Sequence, residues 1–128
     1  SRLWVAENSG QLAELDAEHG AVRRRVRAFV ASTPRQLAFA ADGMLVVSSL
    51  SGELAALDPD RLEVVRRAVP PAGAAVGIGM DMVAHPSGLV TLCMPSCGVR
   101  TFDLERGSVV WERLDLRAGS AALSPQGT

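Results

Sequence analysis

Few residues of this sequence have the chemistry of a catalytic or metal-binding group, and their spacing matches no such site. His85 stands directly before Pro86 at the expected end of a strand, where an imidazole more often satisfies a backbone group than takes part in catalysis. Cys93 and Cys97 would need two further ligands to hold zinc, and neither histidine lies at a suitable spacing. No Ser, His and Asp set is evident, so we expect a chain without enzymatic activity and without a cofactor.

Acidic residues and one glycine-rich segment are the remaining candidates for ligand binding. Glu7, Asn8 and Asp81 offer oxygen ligands of the kind that a metal in a central channel takes from several strands, but they form no set. The segment 77–79, Gly-Ile-Gly, lacks the Lys, Ser or Thr of a loop that cradles phosphate. The sequence therefore predicts neither a metal site nor a nucleotide site.

Charge and hydropathy exclude two classes of partner. The 128 residues are 48% hydrophobic and 21% charged, and 13 cationic residues, all of them arginine, stand against 14 acidic ones. Because the net charge is −1, we expect no nucleic-acid partner. No apolar run approaches the ~18 residues that cross a bilayer and the first residues resemble no signal peptide, so we expect no membrane insertion. The sparse cysteines favour a reducing compartment, and we expect a cytoplasmic protein.

The elements that must position these residues come from an internal repeat. Three segments align with one another, and each ends in an Asp: 3–16, 45–58 and 90–103. The Asp residues that end them are 42 and then 45 residues apart. A second shared element, a short apolar run closed by Gly, occurs at 37–43, 82–88 and 121–127. Because both elements recur in the same order, we expect the chain to consist of repeated units. We also expect the sequence to begin and to end inside such a unit.

Each unit is predicted to form four short antiparallel strands, which in the second unit are 36–40, 44–48, 53–57 and 62–68. Apolar and β-branched residues occur in short runs, and each run is bounded by Gly, Pro, Ser or Asp. Gly10 and Gly52 supply a residue that takes positive φ at little cost where a tight hairpin needs one. After the third strand, an Asp and a Gly bracket a turn in which the carboxylate can accept backbone N–H bonds.

A helix over residues 11–30 competes with this interpretation, because the apolar residues of that stretch also fall on one helical face. The equivalent stretch of the second unit argues against a helix. Pro59 follows Asp58 there, and Leu62 and Val64 then alternate with charged residues. That pattern suits a strand and breaks a helix, so we expect strands in both units.

The unit resembles a blade of the WD-repeat and quinoprotein-like β-propeller superfamily, in which four strands recur at this period. Residues 40–43 and 124–127 resemble the turn between the first and second strands. Leu15-Asp16, Leu57-Asp58 and Phe102-Asp103 take the place of the Trp-Asp dipeptide that ends the third strand. Residues 103–111 are similar to the fourth-strand segment of quinoprotein-type propellers. No Trp-Asp pair is literal, and no Gly-His precedes a first strand.

The resemblance implies an all-β chain that forms about three four-stranded antiparallel blades of a β-propeller. It divides residues 1–128 into strands two to four of one blade (1–30), two full blades (34–69 and 79–116) and the first strand of a further blade (120–124). Because known propellers need at least four blades, we expect a longer parent chain or a second copy to complete the ring.

A non-catalytic scaffold for protein–protein interaction is the function that the resemblance implies. Short turns after the second strands would present side chains on one face. The candidate contact residues are Glu7, Asn8, Ser9, Ser49, Leu50, Ser51, Pro95 and Ser96, with Leu50 as the best single candidate. The alternative is part of a quinoprotein-like or lactonase-like propeller enzyme whose active centre lies largely in blades not present here.

Overall fold

The computed structural model describes residues 1–124, which form eleven β strands in three antiparallel sheets. The strands are β1 Arg2–Ala6, β2 Leu12–Asp16, β3 Val22–Val26, β4 Pro34–Phe39, β5 Leu45–Ser49, β6 Leu54–Asp58, β7 Glu63–Ala68, β8 Asp81–Ala84, β9 Leu89–Met94, β10 Gly98–Asp103 and β11 Ser108–Arg113. The first sheet is β1-β2-β3, the middle sheet is β4-β5-β6-β7 and the third sheet is β8-β9-β10-β11. Within the described residues no helix is long and apolar enough to cross a membrane. The all-β antiparallel prediction is confirmed.

Residues 11–30 contain the hairpin of β2 and β3 rather than a helix. The ladder runs from the Leu12–Val26 pair to the Leu15–Val22 pair, with a bulge after Glu14. Charged side chains occupy most of β3, which is the outer edge of its sheet and pairs with no further strand of residues 1–124. Charged residues on an edge strand discourage pairing with a strand of another molecule, and the arginines of β3 therefore protect this edge.

The turn after the third strand repeats in all three units with the hydrogen bonds that the sequence predicts. Asp16, Asp58 and Asp103 each accept, through Oδ1, the amide of the residue two positions later, at 2.9, 2.9 and 3.0 Å. Gly20 and Gly107 close two of these turns with φ of +74° and +70°.

The middle unit closes its turn differently. Leu62 occupies the equivalent position with φ of +59°, and it is the one non-glycine residue in 1–124 with a positive φ. Its amide donates to the Asp58 carbonyl at 2.9 Å, as the glycine amides do in the other units. Leu62 also packs against the apolar layer beside the middle sheet. Burial of its side chain offsets the cost of about 1–2 kcal/mol that a left-handed backbone imposes on an L residue.

The three sheets pack face to face through two apolar layers. The layer between the first and middle sheets contains Trp4, Leu12, Ala28, Phe29, Leu45, Val47, Ala55 and Leu57. The layer between the middle and third sheets contains Val46, Leu54, Ala56, Ala68, Met82, Val90, Leu92, Met94, Phe102 and Leu104. Because side chains alternate along a strand, Leu45 and Val47 enter one layer and Val46 enters the other. The middle sheet is therefore buried on both faces.

The first sheet has one strand fewer than the other two. By the repeat, β1 corresponds to β5 and β9, so the sheet lacks the equivalent of β4 and β8, and the edge of β1 away from β2 carries no strand among residues 1–124. Residues 120–124 are not in a strand here, and the Ala121 amide donates to Asp81 Oδ2 at 3.0 Å. A strand forms only beside a partner, so their assignment to a further blade stays a prediction. Most of the predicted turn at 124–127 lies outside the described residues.

Candidate functional site

The turns that follow the second strands lie at one end of the three sheets, together with the segments that connect one sheet to the next. We call this surface the loop face. It consists of the turns 7–10, 49–52 and 95–97 and the connecting segments 27–33, 69–80 and 114–119. Where the sheets face one another, β4 lies beside β8 and β1 lies beside β4. Equivalent turns of neighbouring sheets therefore point the same way.

The connection 27–33 links the first turn to the second. Arg27 Nη2 donates to the Ser9 carbonyl at 3.3 Å at one end of the segment. At the other end, the Thr33 carbonyl accepts the Leu50 amide at 2.9 Å. Phe29, between them, is 1% exposed and packs in the apolar layer between the first and middle sheets. The segment is thus fixed at both ends and at its centre.

The connection 69–80 links the second turn to the third. A Cβ added to Gly52 would lie 3.2 Å from Val76 Cγ1, and one added to Gly77 would lie 2.6 Å from Ser96 Oγ. The chain therefore passes in direct contact with both turns. Arg100 fixes the same connection from below, since its fully buried side chain donates to the Ala75 carbonyl at 2.7 Å.

The predicted contact residues divide by exposure. The exposed ones are Asn8, Ser9, Leu50, Ser51 and Ser96, and Glu7 and Pro95 are half-buried. Ser49 is only 1% exposed. Its hydroxyl accepts the amides of Ser51 and Glu53, both at 3.2 Å, so Ser49 stabilises the turn from within and offers no side chain to solvent. The turns share one end as expected, and their role in binding a partner stays a prediction.

Sequence reasoning missed the apolar residues of the connecting segments. Seven of them are strongly exposed on the loop face: Val30 at 92%, Met80 at 61%, Val69 at 55%, Val76 at 50%, Ile78 at 48%, Leu116 at 46% and Leu114 at 43%. The signal was available, because residues 76–80 alternate Val, Ile and Met with Gly outside any predicted strand. Together with Leu50 at 42% exposure, they give the loop face an apolar surface of the kind found at protein interfaces.

Charge on the loop face is unevenly balanced. Its acidic residues form ion pairs, which are Glu7–Arg25 at 3.0 Å and Asp115–Arg113 at 2.7 Å, and Glu53, next to the second turn, pairs with Arg67 at 3.1 Å. Arg27, Arg35 and Arg117 are exposed and form no salt bridge with any carboxylate of residues 1–124. The face therefore carries positive charge that no carboxylate of residues 1–124 neutralises.

His85 takes part in a hydrogen-bonded chain of side chains. Its Nε2 lies 2.8 Å from Thr91 Oγ1, which lies 2.7 Å from Thr101 Oγ1. His85 and Thr91 line a cleft of about 320 Å³ on the third sheet together with Trp111, and Thr101 is buried beneath it. The imidazole forms a hydrogen bond within the fold, but its partner is a threonine hydroxyl and not the backbone group that the sequence predicts.

Nearby groups shift the pKa values of Asp81 and Cys93. The Ala121 amide on Oδ2 lowers the pKa of the Asp81 carboxyl, and the Met82 amide on Oδ1 at 2.9 Å acts in the same direction against the effect of burial. Burial raises the pKa of the Cys93 thiol, and the charge of Asp81 raises it further. Cys93 and Cys97 are both free thiols. Residues 1–124 contain no cluster of three or more His, Cys, Asp or Glu side chains that could hold a metal.

Comparison with known proteins gives a structural likeness and no family. No protein-family model and no curated protein matches the sequence. Among solved structures, BamB from Moraxella catarrhalis superposes with a TM-score of 0.64 at 25% sequence identity, over 88% of this chain and 33% of the BamB chain. The chain thus spans about a third of the length of that protein. This likeness, together with the three antiparallel sheets stacked in chain order, shows that the chain forms part of a β-propeller.

Proposed function

We propose that this chain is a WD-repeat-like or quinoprotein-like propeller segment that acts as a scaffold for protein–protein interaction, with the loop face as its contact surface. One observation carries the proposal: eight apolar side chains stay between 42% and 92% exposed on turns and connections that the fold holds in place. Exposed apolar groups on a fixed backbone favour binding, because association then orders little additional chain.

Rigidity of the loop face supports this function. Each connection between sheets touches a turn on either side, as Arg27 and Thr33 do for one connection and Gly77 does for the next. A partner would therefore meet a preformed surface. The likeness to BamB supports an interaction propeller in general and leaves the identity of the partner to experiment.

We also propose that the open edge of β1 receives a strand from a longer parent chain or from a second copy. Beside this edge lies a cleft of about 210 Å³, lined by Leu3, Trp4, Leu37 and Phe39 among others. Phe39 is 54% exposed there, and the buried Trp4 Nε1 has no hydrogen-bond partner. An inserted strand would pair with the edge of β1 and cover these side chains.

Selection of a random-peptide phage library on the immobilised 128-residue chain tests the contact surface. Leu50→Asp and Ile78→Asp each place a charge in the loop face. Val65→Asp, on β7 away from that face, is the matched control, since Val65 and Ile78 are both 48% exposed. We expect the selected peptides to bind the two loop-face variants at least tenfold more weakly and to bind the control variant normally, because a buried charge without a partner is strongly unfavourable at an apolar contact.

Two results would count against the proposal. One is a selection that yields no binding peptide. The other is a set of peptides that bind all three variants equally, which would place the apolar contact elsewhere, for instance at the open edge of β1.

A further inference from the structure

We propose that the partner of the loop face is a protein segment that combines aliphatic side chains with Asp or Glu. The inference rests on the proposed function and adds the chemistry of the partner. It follows from the position of three unneutralised arginines relative to the three turns.

Each turn of the loop face has one such arginine beside it. Arg27 donates to the Ser9 carbonyl at the first turn, and Arg117 donates to the Ser96 carbonyl at the third turn, both at 3.3 Å. Arg35, in β4, follows Pro34, which pairs with Ser49 of the second turn, and no hydrogen bond or ion pair of the Arg35 side chain occurs within residues 1–124. The positive charge is therefore spread across the whole face.

The hydrogen bonds of Arg27 and Arg117 leave their charge available. A backbone carbonyl orients a guanidinium but does not neutralise it, and each guanidinium has five N–H donors. Arg27 is also held by contact, because a Cβ added to Gly10 would lie 2.6 Å from its Nη1. A guanidinium that is already positioned loses less entropy when it binds a carboxylate of the partner.

Apolar and cationic groups alternate over short distances on this surface. Val30, which is 92% exposed, comes three residues after Arg27, and Leu116 at 46% exposure directly precedes Arg117. An interface with an apolar centre and a charged rim gains affinity from the first and selectivity from the second. A partner that places acidic residues beside its aliphatic ones matches this arrangement.

Single-stranded nucleic acid fits the same surface less well. Its binding needs aromatic side chains on which bases stack, besides cations for the phosphates. The strongly exposed apolar residues of the loop face are aliphatic, and Phe29, the aromatic residue in the connection 27–33, is buried. The arginines are therefore better matched to carboxylates than to a nucleic-acid backbone.

The test uses the peptides selected on the 128-residue chain, resynthesised with their charged positions as Glu in one series and as Lys in the other. Fluorescence anisotropy measures both series and a single-stranded oligonucleotide. We expect the Glu series to bind more tightly, with an advantage that shrinks as salt is raised. Each of Arg27→Glu, Arg35→Glu and Arg117→Glu should reduce this advantage about two- to fivefold. Arg61→Glu, an exposed arginine at the opposite end of the sheets, should leave it unchanged.

The outcomes separate this inference from the proposed function. Equal binding of both series, still abolished by Leu50→Asp and Ile78→Asp, overturns the acidic partner and keeps the scaffold. Tighter binding of the oligonucleotide than of the Glu series, weakened by the arginine substitutions, also overturns it. A selection that yields no peptide sensitive to the loop-face substitutions overturns the proposed function itself.

Discussion

Replacing Arg24 by Leu should destabilise the chain severely, because it would leave a buried carboxylate without its main partner. Glu14 is 2% exposed, and its Oε1 accepts a hydrogen bond from Arg24 Nε at 2.6 Å. The same guanidinium donates to the carbonyls of Pro59 and Asp60, both at 3.1 Å, and so joins the first sheet to a turn of the middle sheet. The only other cation near Glu14 within residues 1–124 is Arg2, at 3.7 Å.

The expected loss follows from these contacts. Removing one partner of a buried ion pair costs about 3–5 kcal/mol. Two hydrogen bonds between the sheets are lost as well, each worth about 1 kcal/mol, while the remaining attraction of Arg2 at 3.7 Å offsets part of the loss. We therefore expect Arg24→Leu to lower the free energy of unfolding by about 4 kcal/mol.

The middle sheet contains a matched control for this substitution. Arg66 lies opposite Ala56, as Arg24 lies opposite Glu14, but it forms only an exposed ion pair of 3.7 Å with Asp42. Arg66→Leu should therefore cost less than about 1 kcal/mol.

Urea unfolding monitored by tryptophan fluorescence measures these differences, since Trp4 pairs directly with Glu14 in the ladder of β1 and β2. The double variant Glu14→Leu with Arg24→Leu should regain most of the loss, because apolar residues of similar volume often replace a buried ion pair without cost. The reasoning is refuted if Arg24→Leu behaves like Arg66→Leu, or if the double variant is as unstable as Arg24→Leu alone.

Three further predictions concern turns and thiols. Gly107→Ala should destabilise more than Gly20→Ala. Both glycines have positive φ, but only a Cβ at Gly107 would lie 2.8 Å from a carbonyl oxygen. Gly20→Ala should therefore lower the free energy of unfolding in urea by only about 1–2 kcal/mol. In the folded chain Ellman's reagent should modify the half-buried Cys97 and not the buried Cys93, and Cys97→Ser should remove the reaction; rapid modification of both thiols would contradict this. Hydrogen bonds from the Glu18 amide, the Glu18 side chain and the His19 imidazole lower the pKa of Asp16 from 3.8 to about 2, so its stabilising contribution is complete above pH 3.8 and is lost toward pH 2. Asp16→Asn should remove this part of the acid dependence of the urea midpoint, and an unchanged dependence would show that other groups cause it.

The sequence reveals the strands because the information lies in local pattern. Pro59 excludes a helix in the second unit, and the repeat carries that conclusion to residues 11–30. The repeated Asp turns are equally local, since each carboxylate binds an amide two residues later. Leu62 shows the limit of this reasoning. It adopts the positive φ of a glycine, and packing of its side chain, which only the folded sheets provide, offsets the cost of that backbone conformation.

The candidate site is only partly accessible to the same reasoning. Exposure of Leu50 follows from its place in a tight turn, but burial of Ser49 next to it depends on amides that the turn folds around the hydroxyl. The pairing of Glu14 with Arg24 crosses a hairpin, and the contact of Gly77 with Ser96 crosses between sheets. Contacts of this kind depend on tertiary structure and leave no periodic signal in one sequence.

Residues 76–77 pack between the second and third turns of the loop face, and this contact limits where residues can be inserted into the chain. Loops usually accept insertions at little cost. Here residues added next to Gly77 would push the neighbouring turns apart, since Gly52 and Gly77 have no spare room beside them. Gly43, at the other end of the sheets, has no atom within 4 Å of an added Cβ. An affinity tag or a fluorescent label for surface immobilisation therefore belongs in the turn between β4 and β5.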